Sequence, residues 1–230
     1  MAGTRLRHKG ALQWSAPFAL GPWILTLLLV GPPSMVFGGC ALDRADATVA
    51  VRYVNDGDTV KLSDGRKLRF IGINTPEIDH KGESSEPFSL AARERLQQLI
   101  GERRIRLRYG TERHDRYGRL LAHPFLVDGR SINVLLLQEG LATTLVVPPN
   151  TWNYACYQTV ERKAREKRVG IWSLPRYRPM SPDSLPRKDP GFRLVEGVVE
   201  QVVESRNSVW LELAGPMALR IPRRDLDNFA

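Results

Sequence analysis

The chain has 230 residues, of which 42% are hydrophobic, and it carries a net charge of +9. This length and composition suit one domain with a packed core plus extra segments, and they exclude a disordered polar chain. Two cysteines exclude a zinc site of the cysteine-rich kind and a scaffold built from several disulfides. The positive charge favours an anionic partner such as nucleic acid or a membrane surface, although a solvated basic surface has the same composition.

Residues 1–41 have the pattern of an export signal. Three basic residues precede an apolar run over residues 18–30, and small residues follow as far as Ala41. Three outcomes stay open: ordinary cleavage near Ala41, lipidation of Cys40 as in a bacterial lipoprotein, and an uncleaved membrane anchor. If Cys40 is removed or lipidated, Cys156 has no partner within the chain and packs as a small apolar residue on a helix.

Three strands in a meander are predicted after a short linker. They cover residues 47–54, 59–62 and 67–73, and turn sequences containing Asp-Gly separate them. A helix follows from Glu86 or Pro87 to Ile100. Ser85 is its expected N-cap, and Gly101 provides the stop signal.

The rest of the main domain alternates between strands and helices. Periodicity and stop signals predict a strand over 104–108, a strand over 120–127, a helix over 131–139, a mixed apolar loop over 141–150 and a helix over 151–169. The first of these strands carries an arginine at every second position, a face that is either solvated or in contact with nucleic acid. His123-Pro124 indicates a bulge or an edge position in the second. This order of elements favours an α+β fold that is mainly β, a small barrel capped by helices.

The C-terminal part of the chain has a different composition. Residues 175–190 are rich in proline and are expected to form a linker. Residues 191–230 alternate as about three strands, which is too little to hold a core alone. We therefore expect a main domain over 48–174 and a β-rich extension that docks on it or pairs with a partner.

Candidate metal ligands lie in two short blocks. Asp56 and Asp58 belong to an Asp-Gly-Asp turn after the first strand, and Asn74 and Thr75 end the third strand. Pro76 favours an extended backbone at Thr75, which can aim its carbonyl at a shared point. A carboxylate, an amide oxygen and a carbonyl are hard ligands that suit Ca²⁺ or Mg²⁺. An aspartate in such a turn is, by itself, more commonly a turn residue only.

Glu77, Arg69 and Arg119 are the candidate catalytic residues. A metal can activate a water for attack on phosphorus, while Glu77 orients that water or accepts its proton. Arg69 and Arg119 can bind one phosphate together and neutralise the charge that develops on it. Asp115 and Tyr117 are expected to hold the turn before Arg119 rather than to react. Each of these residues, taken alone, also has a plain structural interpretation.

These blocks together resemble the staphylococcal nuclease (thermonuclease) family. The resemblance covers about residues 48–174, and its motifs occur in the family's order: DGDTVKL at 56–62, Arg69 to Glu77, Asp115 to Arg119, Asn133 with Gln138 to Ala142, and Ile171-Trp172. It implies a five-stranded OB-fold barrel with three helices. It also implies Ca²⁺-dependent hydrolysis of DNA and RNA that leaves 3′-phosphates and has little sequence preference.

The resemblance also assigns roles to individual residues. Asp58 and the Thr75 carbonyl match the family's calcium ligands, Glu77 its water-activating glutamate, and Arg69 and Arg119 its phosphate-binding arginines. Further expectations are a monomer, a preference for single-stranded DNA or RNA, and export to a bacterial envelope or the medium.

Two positions depart from the family's founding member. Asn74 stands where that protein has an aspartate, so a negative charge is lost and Mg²⁺ or Mn²⁺ becomes a possible replacement for Ca²⁺. Residues 145–147 lack its base-stacking tyrosines, so Trp152 or Tyr154 are alternative base contacts, although packing is the plainer role for both.

Two other functions compete with a nuclease. One is a non-catalytic OB-fold module that binds nucleic acid or protein, because proteins of this fold often lose catalysis and keep the scaffold. The other is an envelope structural protein that uses residues 191–230 as its partner surface. Retention of Glu77 favours the nuclease, because a module that only binds phosphates gains nothing from a carboxylate that repels them.

Overall fold

The computed structural model describes residues 40–79, 85–101, 104–185 and 192–228. The predicted leader therefore lies outside the described residues, apart from Cys40 and Ala41. By their contacts, residues 37–230 form one compact unit. Within the described ranges, no helix combines the length and the apolar character needed to cross a bilayer.

A closed five-stranded barrel forms the centre of the protein. The described residues of the main domain form seven strands and three α-helices: β1 (Ala47–Val54), β2 (Thr59–Leu62), β3 (Lys67–Phe70), β4 (Gly72–Asn74), α1 (Ser89–Ile100), β5 (Arg104–His114), β6 (Leu120–Phe125), α2 (Ile132–Gln138), β7 (Thr143–Leu145) and α3 (Tyr154–Glu166). The barrel order is β1-β2-β3-β6-β5, and β5 closes it against β1. Only the β3–β6 pair among the described barrel strands is parallel, and β4 pairs with β7 outside the barrel.

Alternation along the strands builds the core. Val60 and Leu62 on β2 and Leu68 and Phe70 on β3 are fully or almost fully buried, whereas Lys61 and Lys67 are exposed and Arg69 is half-buried. Side chains of a strand point to opposite faces in turn, so one face of each strand fills the barrel and the other meets solvent. The described architecture is the α+β barrel with three helices that the sequence predicts.

The predicted third strand over 67–73 is interrupted. Gly72 has φ of +91°, in the left-handed region, and a Cβ at this position would lie 2.5 Å from Cε2 of Tyr157. The chain turns here, and β4 leaves the barrel to pair with β7. Two short strands in two sheets replace the single strand because the backbone passes directly under a buried tyrosine ring.

The helix boundaries differ from those expected. Ser85 does not cap α1, because the helix begins at Ser89 after a left-handed Phe88 with φ of +69°. Ser85 instead accepts a hydrogen bond from the N–H of Asp79 at 3.2 Å. Ser131 does cap α2, since its Oγ accepts from the N–H of Val134 at 3.3 Å. α3 begins after the predicted residue 151, because Asn153 before it is also left-handed, and it ends at Glu166, before a left-handed Arg168 with φ of +53°.

Pro124 sits inside β6 without disrupting the barrel. β6 pairs with β3 only as far as Ala122, whereas its pairing with β5 continues to Phe125. Pro124 therefore has a strand neighbour on one side only, which is the edge condition that a residue without an N–H requires. The irregularity in register lies on β5, between Tyr109 and His114.

Cys40 and Cys156 form a disulfide. Their Cα atoms are 5.7 Å apart across a sequence separation of 116 residues, and Cys40 is buried against the main core. A sulfur in a disulfide cannot carry a thioether-linked lipid, so this disulfide and lipidation of Cys40 exclude each other. In a chain that keeps Cys40, Cys156 therefore has a partner, which sequence spacing does not reveal because it does not show that α3 passes beside the start of the barrel.

The proline-rich segment packs closely in its first part. Residues Pro175–Tyr177 and Pro182–Ser184 form short 3-10 turns. Tyr177 is buried in a second, smaller core with Ala164, Ile171 and Trp172, here named the Trp172–Tyr177 cluster. Strands β8 (Val199–Glu204), β9 (Ser208–Leu213) and β10 (Ala218–Pro222) then form a separate antiparallel sheet.

Candidate active site

The Asp-Gly-Asp turn is fastened to the end of β4. Asp56 accepts a hydrogen bond from the N–H of Asp58 at 3.0 Å, which closes the turn. A Cβ on Gly57 would lie 2.7 Å from Cγ2 of Thr75 and 2.8 Å from Cβ of Ala92. Only glycine allows the turn to approach this closely, so Gly57 brings Asp58 to Thr75.

Asp58 is buried and saturated with hydrogen bonds. Its Oδ2 accepts from the N–H of Thr75 at 2.8 Å and from the Thr75 hydroxyl at 3.0 Å. Its Oδ1 accepts from the hydroxyl of Thr59 at 3.1 Å. Burial raises the pKa of Asp58 to about 6, although the positive charge of Arg69 acts in the opposite direction. The carboxylate is therefore a buried group that a nearby positive charge stabilises.

Arg69 supplies that positive charge. Its Nη2 lies 3.1 Å from Oδ2 of Asp58 and 2.9 Å from Oδ1 of Asn74. Its Nη1 donates to the carbonyls of Phe70 and of Ile73, the latter at 3.0 Å. One guanidinium nitrogen thus sits between the two side-chain oxygens that the sequence predicts as metal ligands.

The donor set fits a hard cation. The oxygens of Asp58 and Asn74 converge on one cationic nitrogen, so they already define a point where positive charge is stabilised. The Thr75 carbonyl is adjacent, since it accepts from Nδ2 of Asn74 at 3.4 Å. The described residues hold no group of three or more His, Cys, Asp or Glu side chains suited to a metal. Amide and carbonyl oxygens would therefore complete the ligand set, as in sites for Ca²⁺ or Mg²⁺.

Glu77 lies at the exposed edge of the same site. Its pKa is raised, chiefly because neighbouring atoms partly desolvate the carboxyl group and next because of the negative charge of Asp56. Arg69 and Arg119 act in the opposite direction and lower it. These influences show that Glu77 lies within electrostatic range of both arginines and of the Asp-Gly-Asp turn.

Arg119 is held by the turn that precedes it. Oδ2 of Asp115 accepts from Nε of Arg119 at 2.7 Å, and Oδ1 accepts from the N–H groups of Tyr117 and Arg119, both at 2.9 Å. Gly118 has φ of +73°, which the tight turn requires. Tyr117 is 68% exposed, and the guanidinium of Arg116 lies 4.8 Å from its ring centre.

A cavity of about 530 Å³ brings the two arginines together. Its lining includes Arg69, Arg119, Asp115 and Tyr117, but Asp58, Asn74 and Glu77 lie outside that lining. The site thus has two parts, a group of side-chain and carbonyl oxygens around Asp58 and a cavity that both arginines line. Arg69 belongs to both.

One wall of the cavity combines aliphatic and polar side chains. Leu145 and Val147 line it and are 44% and 61% exposed. Asn150 fixes the wall, because its Oδ1 accepts from the N–H of Glu112 at 3.0 Å and its Nδ2 donates to the Glu112 carbonyl. Glu112 also lines the cavity, and the sequence alone gives no signal for its position.

Sequence reasoning also missed a buried polar group behind the site. Nδ2 of Asn133 donates to the Ile71 carbonyl at 2.8 Å, and the Tyr157 hydroxyl lies 3.0 Å from Nδ1 of His123. These contacts hold the chain at the break between β3 and β4. Trp152 packs against His123, with ring centres 4.8 Å apart, and against the guanidinium of Arg108. Trp152 does not line the cavity.

A closed five-stranded barrel with this connectivity, its helices packed on it, and a polar site beside β3 and β4 defines an OB-fold protein. A sequence model described as staphylococcal nuclease homologue matches residues 67–174. The chain is 35% identical over 139 residues to a thermonuclease of Staphylococcus intermedius, covering 59% of this chain and 82% of that protein. The chain therefore belongs to the staphylococcal nuclease family.

Other relatives agree over the same region. A thermonuclease of Staphylococcus hyicus is 32% identical over 142 residues, which is 60% of this chain and 83% of that protein. Endonuclease YncB of Bacillus subtilis (strain 168) is 35% identical over 127 residues, which is 53% of this chain and 60% of that protein. These relatives are named as nucleases, and each alignment leaves two fifths or more of this chain unmatched.

Proposed function

We propose that this protein is a metal-dependent nuclease that hydrolyses phosphodiester bonds in DNA and RNA. One observation carries the proposal: Arg69 lies between the oxygen donors Asp58 and Asn74 and also lines the cavity that contains Arg119. Cation binding and phosphate binding are therefore adjacent. Glu77 lies within electrostatic range of both arginines.

Each residue has a distinct task in this reaction. Asp58, Asn74 and the Thr75 carbonyl would hold Ca²⁺, or Mg²⁺ or Mn²⁺ because Asn74 carries no charge. Such an ion, when bound, lowers the pKa of water and offsets phosphate charge. Glu77 accepts the proton of the attacking water.

The two arginines act on the phosphate. They donate hydrogen bonds to its non-bridging oxygens as negative charge increases there. Water adds to phosphorus and the bond to the 5′ oxygen breaks, which leaves a 3′-phosphate and a 5′ oxygen that takes up a proton to become a hydroxyl. Asp58 and Asn74 would hold the cation, and Nη2 of Arg69, which contacts both of them, would then be free to donate to the phosphate.

The remaining features of the proposal concern substrate and location. The aliphatic wall of Leu145 and Val147 offers contact without hydrogen bonds to specific base edges, which suits a nuclease with little sequence preference. A flexible single strand enters a 530 Å³ cavity more readily than a stacked duplex. We propose a monomer that is exported to the envelope or the medium, in keeping with the signal-like pattern before Cys40.

The test is cleavage by the purified full-length chain. Single-stranded DNA, duplex DNA and RNA are incubated with Ca²⁺, Mg²⁺ or Mn²⁺, with EDTA as the metal-free control. We expect metal-dependent cleavage that falls by about 10²-fold or more in Glu77→Gln, as for loss of a general base. Glu94→Gln is the matched control, because Glu94 is an exposed glutamate on α1.

Two results would contradict the proposal. Full activity of Glu77→Gln would remove Glu77 from the reaction. A folded protein that binds nucleic acid but never cuts it, with any of the three metals, would favour the non-catalytic binding module, with Asn74 as the first residue to examine.

A further inference from the structure

Glu77 is tied to Glu86 at two points of its backbone. The N–H of Glu77 donates to Oε2 of Glu86 at 2.9 Å, and the N–H of Glu86 donates to the Glu77 carbonyl, also at 2.9 Å. A third bond joins Asp79 to Ser85 beside them. Both backbone polar groups of Glu77 are therefore held by a residue nine positions away along the chain.

Glu86 is in turn oriented by the segment that follows the barrel domain. Its other carboxylate oxygen, Oε1, lies 3.9 Å from Nη2 of Arg176, and both side chains are about a quarter exposed. Nε of Arg176 is buried and has no hydrogen-bond partner among the described residues. Arg176 lies just beyond residue 174, where the match to the family ends.

The same two segments also meet through apolar contacts. Phe88 packs against the main core and against the Trp172–Tyr177 cluster. Within that cluster the rings of Trp172 and Tyr177 lie 5.6 Å apart, edge to face. The chain from Glu86 to Phe88 is thus fixed to the segment after the barrel by one ion pair and one partly buried ring.

We propose that Glu86 is a positioning residue for Glu77, and that Arg176 holds Glu86 in place. The proposal rests on the proposed role of Glu77 in the reaction. The Glu86 carboxylate fixes the backbone from which the Glu77 side chain extends, so the carboxyl group of Glu77 stays at one distance from the phosphate. A proton acceptor must stay within hydrogen-bond reach of the water, and a displacement of about 1 Å costs up to about 10²-fold in rate.

The decisive comparison is between Glu86→Ala and Glu86→Gln in the full-length chain. Alanine leaves the Glu77 N–H without its side-chain acceptor, whereas the Oε1 of glutamine can still accept that bond. We expect Glu86→Ala to lower kcat by about 10-fold to 10²-fold with little change in KM. Glu86→Gln should retain kcat within about threefold. Arg176→Gln should lower kcat about twofold to fivefold, because a partly exposed ion pair contributes modestly.

A second measurement follows the two hydrogen bonds between Glu77 and Glu86, here called the clamp, without reference to catalysis. Hydrogen exchange of the Glu77 amide should be faster in Glu86→Ala than in the parent chain, and close to the parent rate in Glu86→Gln. Glu94→Gln and Arg178→Gln are matched controls, because both residues are exposed on the same two segments. Thermal unfolding of every variant separates loss of the clamp from loss of the fold.

The outcomes distinguish this proposal from the proposed function. Unchanged kcat and unchanged amide exchange in Glu86→Ala would overturn the positioning role. Equal losses in the alanine and glutamine variants would overturn it as well, because charge and not hydrogen bonding would then be responsible. If Glu77→Gln keeps full activity while Glu86→Ala still speeds amide exchange, the clamp exists and the assignment of Glu77 to the reaction has failed.

Discussion

Arg69 shows how one side chain can serve two sites. Its guanidinium donates to two carbonyls and lies against Asp58 and Asn74, so in the absence of a cation it neutralises a buried carboxylate. An uncompensated buried charge is strongly unfavourable. The arginine therefore stabilises the buried carboxylate at the position proposed for the cation, and a cation that binds there would have to compete with it.

Restoring a carboxylate at position 74 should strengthen cation binding. Asn74→Asp adds a negative charge to a site with one carboxylate ligand, and we expect the Kd for Ca²⁺ to fall about tenfold. Calorimetric titration of Ca²⁺ into both proteins measures this. Asn207→Asp, in the exposed turn between β8 and β9, is the control for a general charge effect. An unchanged affinity for Ca²⁺ would show that the cation does not bind at Asn74.

His123 should make the fold sensitive to acid. Burial, and next the charge of Arg108, lower the pKa of His123 to about 3, whereas an exposed histidine titrates near 6.5. Between these values the unfolded chain binds a proton that the folded chain excludes. The free energy of unfolding therefore falls as the pH falls from about 6.5 towards 3, by up to about 1.4 kcal/mol per pH unit.

Urea unfolding of the parent and of His123→Gln between pH 7 and pH 4 measures this contribution. The slope of the free energy of unfolding against pH should be smaller in the variant by up to about 1.4 kcal/mol per pH unit, which corresponds to the uptake of one proton. His114→Gln is the control, because His114 is exposed. Equal slopes in the parent and in His123→Gln would mean that His123 is protonated in the folded state.

At the scale of elements, periodicity predicted most strands and helices but not where the chain changes sheet. β1 and β2 have the predicted bounds, because the turn at residues 55–58 separates them and a second turn follows β2. The break at Gly72 was missed, because its cause is the Tyr157 ring on α3, far away in the sequence. The start of α1 was missed for a similar reason, since Phe88 is drawn into two cores.

Gly72→Ala should be costly, and a second glycine provides a matched control. The new Cβ would meet the Tyr157 ring at 2.5 Å in a backbone conformation with φ of +91°. We expect a loss of about 3 kcal/mol in the free energy of unfolding from steric overlap and backbone strain. Gly65 has φ of +90° with no atom near its Cβ, so Gly65→Ala should lose only about 1 kcal/mol. Urea unfolding of both variants measures these losses. Equal losses in the free energy of unfolding would exclude the steric contribution.

The residues of the candidate site also fall into those that the sequence predicts and those that it does not. Asp58, Arg69 and Asn74 were predictable because their residue types and their places at strand ends carry the chemistry. Glu86 and Arg176 were not, because a glutamate before a helix and an arginine in a proline-rich segment are ordinary surface residues in sequence terms. Their contacts depend on how the segment after the barrel packs, which no local pattern specifies.

For the whole molecule, the disulfide should be a major source of stability. It joins positions separated by 116 residues, and closing so long a loop restricts the unfolded chain by about 3–5 kcal/mol. We expect Cys40→Ser, Cys156→Ser and the double variant to unfold at the same temperature, about 10 °C below the oxidised parent. Differential scanning calorimetry measures this. If the oxidised parent unfolded at the same temperature as the reduced protein, the disulfide would not contribute to stability.

The Cys40–Cys156 bond also gives the chain a closed covalent ring that contains β1 to β7 and the first turn of α3. A protease that cuts one peptide bond inside the ring opens it without separating the pieces. The nicked protein should migrate as a single species on a gel without thiol and as two fragments with it. A cut between Glu77 and Arg119 would place these two proposed catalytic residues on different fragments, yet the disulfide would keep them on one molecule.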